Sequence, residues 1–283
     1  MLSKKDVLNF KKKGFIHVKN FLPNDDVSDL LQAVSDKKNH LKNYNFNNQI
    51  DDERIWNFVC NKKLKSILSE LIGPNVYYLH DANLLYGEIC NDYSWHRDNP
   101  CRRTGVGPDW NSNLNYNVVS AAVYFSDTNV SHSALNVISK SHNKIYKFSF
   151  SNFLRILHYR CKSNKKLFFF RRILEKIIGT ELKYKSGDLI IFYCNLFHTG
   201  SLTKSIEKVD RECIISRFGG EGIHSKTFMN YELNYRKGKD KFTISKKKEI
   251  FFNRLKENNI FISPEVKQEP IDGIHIPRDQ AAD

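Results

Sequence analysis

The sequence predicts a mainly β domain with flanking helices (α+β), built on a double-stranded β-helix core of the jelly-roll or cupin-like kind. Three observations predict it. The first part of the chain reads as helices, with apolar residues at i, i+3, i+4 and i+7. From Val76 onward, short apolar runs bounded by turn-forming residues replace them. Strands that follow helices, rather than alternating with them, close best into a barrel-like sandwich that removes exposed edges. A chain of 283 residues is long enough for one such domain with a substantial core, and its 20 Phe and 13 Tyr exclude a disordered protein.

Taken in order, Ser3-Lys-Lys-Asp6 has the form of a capping box, and the helix it starts is expected to stop at Gly14. Phe15 to Phe21 reads as a strand. Pro23-Asn-Asp-Asp opens a second helix that buries Val27, Leu30, Leu31 and Val34, and a third carries Leu64, Ile67, Leu68 and Leu71 up to Gly73-Pro74. The Lys- and Asn-rich residues 36–50 read as a solvated loop. Strands are expected at 76–80, 84–87, 118–125, 134–138, 182–184, 188–197 and 211–218, with His198 and Thr199-Gly200-Ser201 as a sharp stop. Residues 146–181 interrupt the β pattern as a basic helical insertion. Its face of Leu167, Phe170, Leu174 and Ile177 is expected to cover one end of the barrel, while a basic amphipathic helix within 151–178 also suits peripheral contact with an acidic membrane. The oxygenase domain suggested below is expected to span 1–235. Residues 236–283 add a Lys-rich helix near 246–257 and a Pro-containing tail from Ser263.

Composition narrows the partners. A formal net charge of +14 attracts anions: nucleic acid, acidic headgroups or phosphorylated metabolites. The six cysteines contain no C-x-x-C pair, which argues against a structural zinc site and a secreted disulfide scaffold. Reduced thiols point to a cytoplasmic setting, within reach of a membrane surface. No run of about 18 apolar residues is present to span a bilayer.

The chemistry gathers around Tyr93-Ser-Trp-His-Arg-Asp-Asn-Pro100. On extended backbone His96 and Asp98 share a face, because strand side chains alternate with a period of two. With a distant second histidine they make the two-His, one-carboxylate triad that holds non-haem Fe(II) and leaves positions open. His198, at the end of a strand-like run, is the candidate. Downstream, Arg211 and Arg217 lie on an apolar stretch. A guanidinium facing a core needs a fixed anion, so one of the two is expected to hold an acidic cosubstrate.

These features, with several others in the same order, resemble the phytanoyl-CoA dioxygenase family of Fe(II)- and 2-oxoglutarate-dependent oxygenases. Lys13-Gly-Phe-Ile-His-Val-Lys-Asn-Phe-Leu-Pro23 is similar to its N-terminal segment and Trp95-His96-Arg97-Asp98 to its first metal motif. Ala122-Val-Tyr-Phe-Ser-Asp127, with Ser133 to Lys144, resembles its central strands, and Gly187-Asp188 through His198-Thr-Gly-Ser201, with Arg211, its distal motif. Two departures stand out: the turn Ile138-Ser-Lys-Ser-His142 lacks the family's Pro-Gly, and the loop from His198 to Arg211 is about two residues longer than usual. The resemblance implies that His96, Asp98 and His198 bind iron, and that Arg211, helped by Ser201, binds the distal carboxylate of 2-oxoglutarate. It also implies that O2 is consumed with release of succinate and CO2, and that Asp98 favours hydroxylation over halogenation.

The substrate is expected to be a small or lipid-linked, anionic molecule. Arg97, Arg102, Arg103 and Trp110 flank the metal motif and are the candidates to recognise it. A nucleic-acid demethylase or hydroxylase, suggested by the R-x5-R pair Arg211 and Arg217, is the enzymatic alternative, although specific nucleic-acid binding is not expected. A non-catalytic anion-binding barrel is the other.

Overall fold

The computed structural model describes residues 2–38, 52–85, 88–89, 95–102, 106–131, 133–143, 150–161, 165–202, 209–210, 212–231 and 246–262. Helix α1 (Lys4–Lys13) begins on the Ser3 capping box: Ser3 Oγ accepts from Asp6 N (3.1 Å) and Asp6 Oδ2 accepts from Ser3 N (3.0 Å). Gly14 ends it at φ 90°, a left-handed conformation that favours glycine. β1 (Phe15–Val18), α2 (Asn24–Lys38), α3 (Glu53–Val59) and α4 (Lys62–Ile72) follow, with Asp52 and Asn61 capping the last two.

The β region holds β2 (Val76–Leu85), β3 (Glu88–Ile89), β4 (Val118–Tyr124), then α5 (Thr128–Ser131) and β5 (Ser133–Val137). Helices α6 (Phe150–Arg160) and α7 (Phe168–Ile178) form the insertion. β6 (Thr180–Leu182), β7 (Leu189–Tyr193), β8 (His198–Leu202), β9 (Val209–Asp210) and β10 (Cys213–Gly219) come next, before α8 (Ile223–Tyr231), α9 (Lys246–Glu257) and β11 (Ile260–Ile262).

The strands assemble as a major sheet, β1-β7-β4-β10-β2-β11, a minor sheet, β6-β5-β8, and the pair β3-β9. All pairings are antiparallel except β11 with β2. Val123 and Ile190 of the major sheet share one buried cluster with Leu135, Val137 and Leu182 of the minor sheet, so the two sheets enclose a common core, the double-stranded β-helix expected. Leu64 and Leu68 of α4 and Phe251 and Leu255 of α9 belong to the same cluster. Among the described residues no helix is long and apolar enough to cross a membrane.

Several elements differ from expectation: β1 stops at Val18 instead of Phe21, β2 joins the runs expected at 76–80 and 84–87, α8 and β11 were not anticipated, and three further differences concern α3, the run 188–197 and α7. α3 was not anticipated: Ile55, Trp56, Phe58 and Val59 are all buried, and seven residues are too few to display a helical period. The run 188–197 is not one strand, because β7 ends at Tyr193, where Leu196 N bonds to Tyr193 O and turns the chain. His198 therefore starts a strand rather than ending one, and Thr199-Gly200-Ser201 is extended because β5 lies opposite it in register, Leu135 against Gly200.

The third difference concerns α7. Its buried residues are Arg171, Leu174, Glu175 and Ile178, whereas Leu167, Phe170 and Ile177 are exposed. Leu174 is buried as expected, but the centre of the buried face is turned by roughly 70° around the axis. An ionic cluster fixes that rotation. Arg172 Nη1 donates to Glu175 Oε2 (2.7 Å) and Nη2 to Glu181 Oε2 (3.1 Å), while His158 Nε2 of α6 lies 3.0 Å from Glu175 Oε1. Leu154, Leu174 and Ile178 pack on Trp95 and Phe197, the chain neighbours of His96 and His198.

Candidate metal centre

Two stretches of backbone are zipped together to make the site. His96 N donates to His198 O and His198 N to His96 O, each at 3.0 Å, and Asp98 N donates to Cys194 O at 2.7 Å. This holds the 95–99 segment against the turn after β7 and the start of β8. His96, Asp98 and His198 then offer one ligand atom each, all within 4.8 Å of one another. The Nε2 atoms of His96 and His198 each lie 3.7 Å from a different oxygen of Asp98.

Protonation is arranged by the surroundings. His198 Nδ1 is 3.0 Å from Leu196 O, which can only accept, so Nδ1 carries the proton and Nε2 presents its lone pair. Burial, and then the neighbouring His96, push His198 down to about 4, against the pull of Asp98. Its imidazole is neutral at pH 7, so its contact with Asp98 is not an ion pair. Burial alone would raise the Asp98 carboxyl, but the Arg217 guanidinium outweighs it and holds the carboxyl well below the usual carboxylate range.

Arg217 Nη2 donates to Asp98 Oδ2 at 2.9 Å, and Ser120 Oγ lies 3.4 Å from the same oxygen. The register explains the meeting: Phe192, Ser120 and Arg217 stand side by side on β7, β4 and β10, and Phe192 rests its ring 4.7 Å from that of His198. The triad is open on one side only, with side-chain exposure of 42% at His96 against 16% at Asp98 and 7% at His198. Two imidazoles and one ionised carboxylate converging this way suit Fe(II).

The remaining candidates fare differently. Arg97 does not reach outward as a substrate contact: it is buried, donates from Nη2 to Ser141 O (2.8 Å), and stacks on Phe197 and Trp110, 3.9 and 4.5 Å from their ring centroids. Trp110 is likewise buried, its Nε1 donating to Cys101 O (2.7 Å). The cavity that Trp110 helps to line, about 620 Å³, also touches Tyr193, whose side chain leaves β7 opposite to Phe192, so it lies behind the sheet from the triad. Arg102 is half-buried and turned toward Asn99 O and Tyr231 Oη, both at 3.4 Å. Arg103, Arg211 and the side chain of Ser201 lie outside the described residues, although the backbone of Ser201 on β8 pairs with Ala134 of β5.

A sequence model of the phytanoyl-CoA dioxygenase (PhyH) family matches residues 10–207. No protein of curated function matches by sequence. Among solved structures, HygX from Streptomyces hygroscopicus, with nickel and 2-oxoglutarate bound, is 13% identical over 80% of this chain and 90% of its own, at a TM-score of 0.60. SnoN, the non-haem α-ketoglutarate-dependent epimerase from nogalamycin biosynthesis, is 12% identical over 77% and 80% (TM-score 0.55). The carbocyclase SnoK from the same biosynthesis is 13% identical over 76% and 84% (TM-score 0.50). At such identities the likeness is one of fold.

Proposed function

The chain belongs to the phytanoyl-CoA dioxygenase family, iron- and 2-oxoglutarate-dependent enzymes of the oxygenase type, and from that premise we propose that it hydroxylates a C–H bond of a small or lipid-linked, anionic molecule met at an acidic surface. The observation that carries the reading is the convergence of His96, Asp98 and His198 on one point. These three residues would hold the iron. With 2-oxoglutarate bound beside it, that group supplies the oxidation: one atom of O2 enters the substrate C–H bond, the other enters succinate, and CO2 leaves.

The chain's own residues prepare the centre. Leu196 O fixes the tautomer of His198, so no proton has to leave before its Nε2 binds. Arg217 keeps Asp98 ionised and fixes the direction of one of its oxygens. Phe192 and the insertion helices behind Trp95 and Phe197 wall the centre, which leaves the His96 side for substrate. Arg211 and Ser201 are assigned to the distal carboxylate of 2-oxoglutarate.

An anionic substrate is supported by the formal net charge of +14. A small molecule fits the company of HygX, crystallised with hygromycin B. The test is succinate release with Fe(II), 2-oxoglutarate and O2 across a panel of anionic metabolites and their lipid-linked forms. We expect at least one member to raise succinate about tenfold and to gain one oxygen atom by mass. Succinate no higher than in the His198→Ala protein with every member would contradict the proposal.

A further inference from the structure

Helix α7 is apolar on its outer face as well as its inner one. It buries Leu174 and Ile178 together with Arg171 and Glu175, and still leaves Phe169, Ile173 and Ile177 exposed, Phe169 at 76%. Helix α6 repeats the arrangement, burying His158 while Phe153, Ile156 and Tyr159 are about half exposed at i, i+3 and i+6. Both helices point their inner faces at one cluster around Trp95 and Phe197, so their apolar outer faces lie on the same side of the pair. Eight of the fourteen exposed large hydrophobic side chains among the described residues belong to this insertion, while the other six are scattered over six elements and loops. A concentration of that kind marks a contact surface.

Charge selects what covers it. Residues 150–178 contain eight Lys and Arg against one acidic residue, Glu175; Arg171 and Arg172 lie with Glu175 in the inner cluster, so the insertion puts no carboxylate of its own on the outer face. Lys166 and Lys176 stand exposed beside the apolar stripe. In a twofold dimer through this face, the basic residues of the two copies would be brought together, and residues 150–178 offer no exposed carboxylate to set against them. An anionic bilayer satisfies both halves of the pattern, since apolar and aromatic side chains enter the headgroup boundary while basic stems reach the phosphates.

We propose that the outer face of α6 and α7 is a membrane-docking surface that lays the helix pair flat on a bilayer rich in acidic phospholipid. This surface deepens the reading above by naming where an acidic surface is met. The inner side of the same helices packs on Trp95 and Phe197, so docking places the bilayer behind the backbone neighbours of His96 and His198.

Co-sedimentation of the full chain with phosphatidylcholine vesicles, with and without phosphatidylserine, tests it at about 0.15 M salt, where long-range attraction is screened. Binding is read without iron or turnover, so failure here and failure of the proposed oxygenase activity are distinguishable. We expect binding only to vesicles with phosphatidylserine. Partition should be about tenfold weaker or worse for Phe169→Ser, Ile173→Ser and Ile177→Ser combined, with the protein still folded by circular dichroism because Phe169 and Ile177 are mostly exposed and Ile173 partly so. A Phe169→Trp protein should shift its emission to the blue on binding. No binding to acidic vesicles overturns the proposal, as does equal binding by the triple variant, which would leave net charge alone as the cause. A dimer that the triple variant dissolves, or an acidic protein partner in place of vesicle binding, assigns the face to another occupant and also overturns it.

Discussion

Asp98 is held by an arginine that comes from another strand. Arg217 Nη2 reaches it at 2.9 Å, and removing that partner leaves a carboxylate only 16% exposed without its cation. Arg217→Met should destabilise the metal-free protein by roughly 2–4 kcal/mol, at or below the range for breaking a buried pair because Asp98 keeps some contact with water. With Asp98→Asn in the background the same change should matter much less, and urea unfolding of the four proteins of this double-mutant cycle measures the difference. Additive effects would show that the two side chains do not act together. The His96-x-Asp98 spacing was legible because it depends only on strand periodicity. The role of Arg217 was not, since it follows from the register that sets Arg217 beside Ser120, and register is fixed by tertiary pairing. Arg97 looked like a substrate contact because a charged residue beside a metal motif is expected to face outward; the rings of Trp110 and Phe197 and the Ser141 carbonyl give it an inward place instead.

Among the elements, α7 shows where a periodic reading is turned by roughly 70°. Leu167, Phe170, Leu174 and Ile177 have the better apolar pattern, yet Glu175 with His158, Arg171 and Arg172 turns the helix so that charge lies inside. An ion cluster between two helices cannot be seen from either one alone. It predicts that Glu175→Ala, which leaves Arg171 buried beside a vacated carboxylate position, costs about 3–5 kcal/mol by chemical denaturation. A loss within the small range usual for surface substitutions would mean that the cluster does not orient the helix. By contrast, α1 was legible to its ends, because the Ser3-Asp6 box and Gly14 act within single turns of backbone. β8 was not, because Thr199-Gly200-Ser201 is extended only through its pairing with β5.

At the scale of the molecule, helices that precede a run of strands announced the two-sheet core, and motif order along the chain announced the family; both are properties of order rather than of contact. The two sheets bring residues separated by about a hundred positions to one point, where the zipped 95–99 segment and the start of β8 face the floor formed by β7, β4 and β10. That point is the proposed metal–cosubstrate centre. Its most direct test is to add Fe(II) and then 2-oxoglutarate to the full chain without oxygen and record the visible charge-transfer band. A metal–cosubstrate centre should give a band in the native protein that is lost in His198→Ala. A folded native protein that shows no band would contradict it.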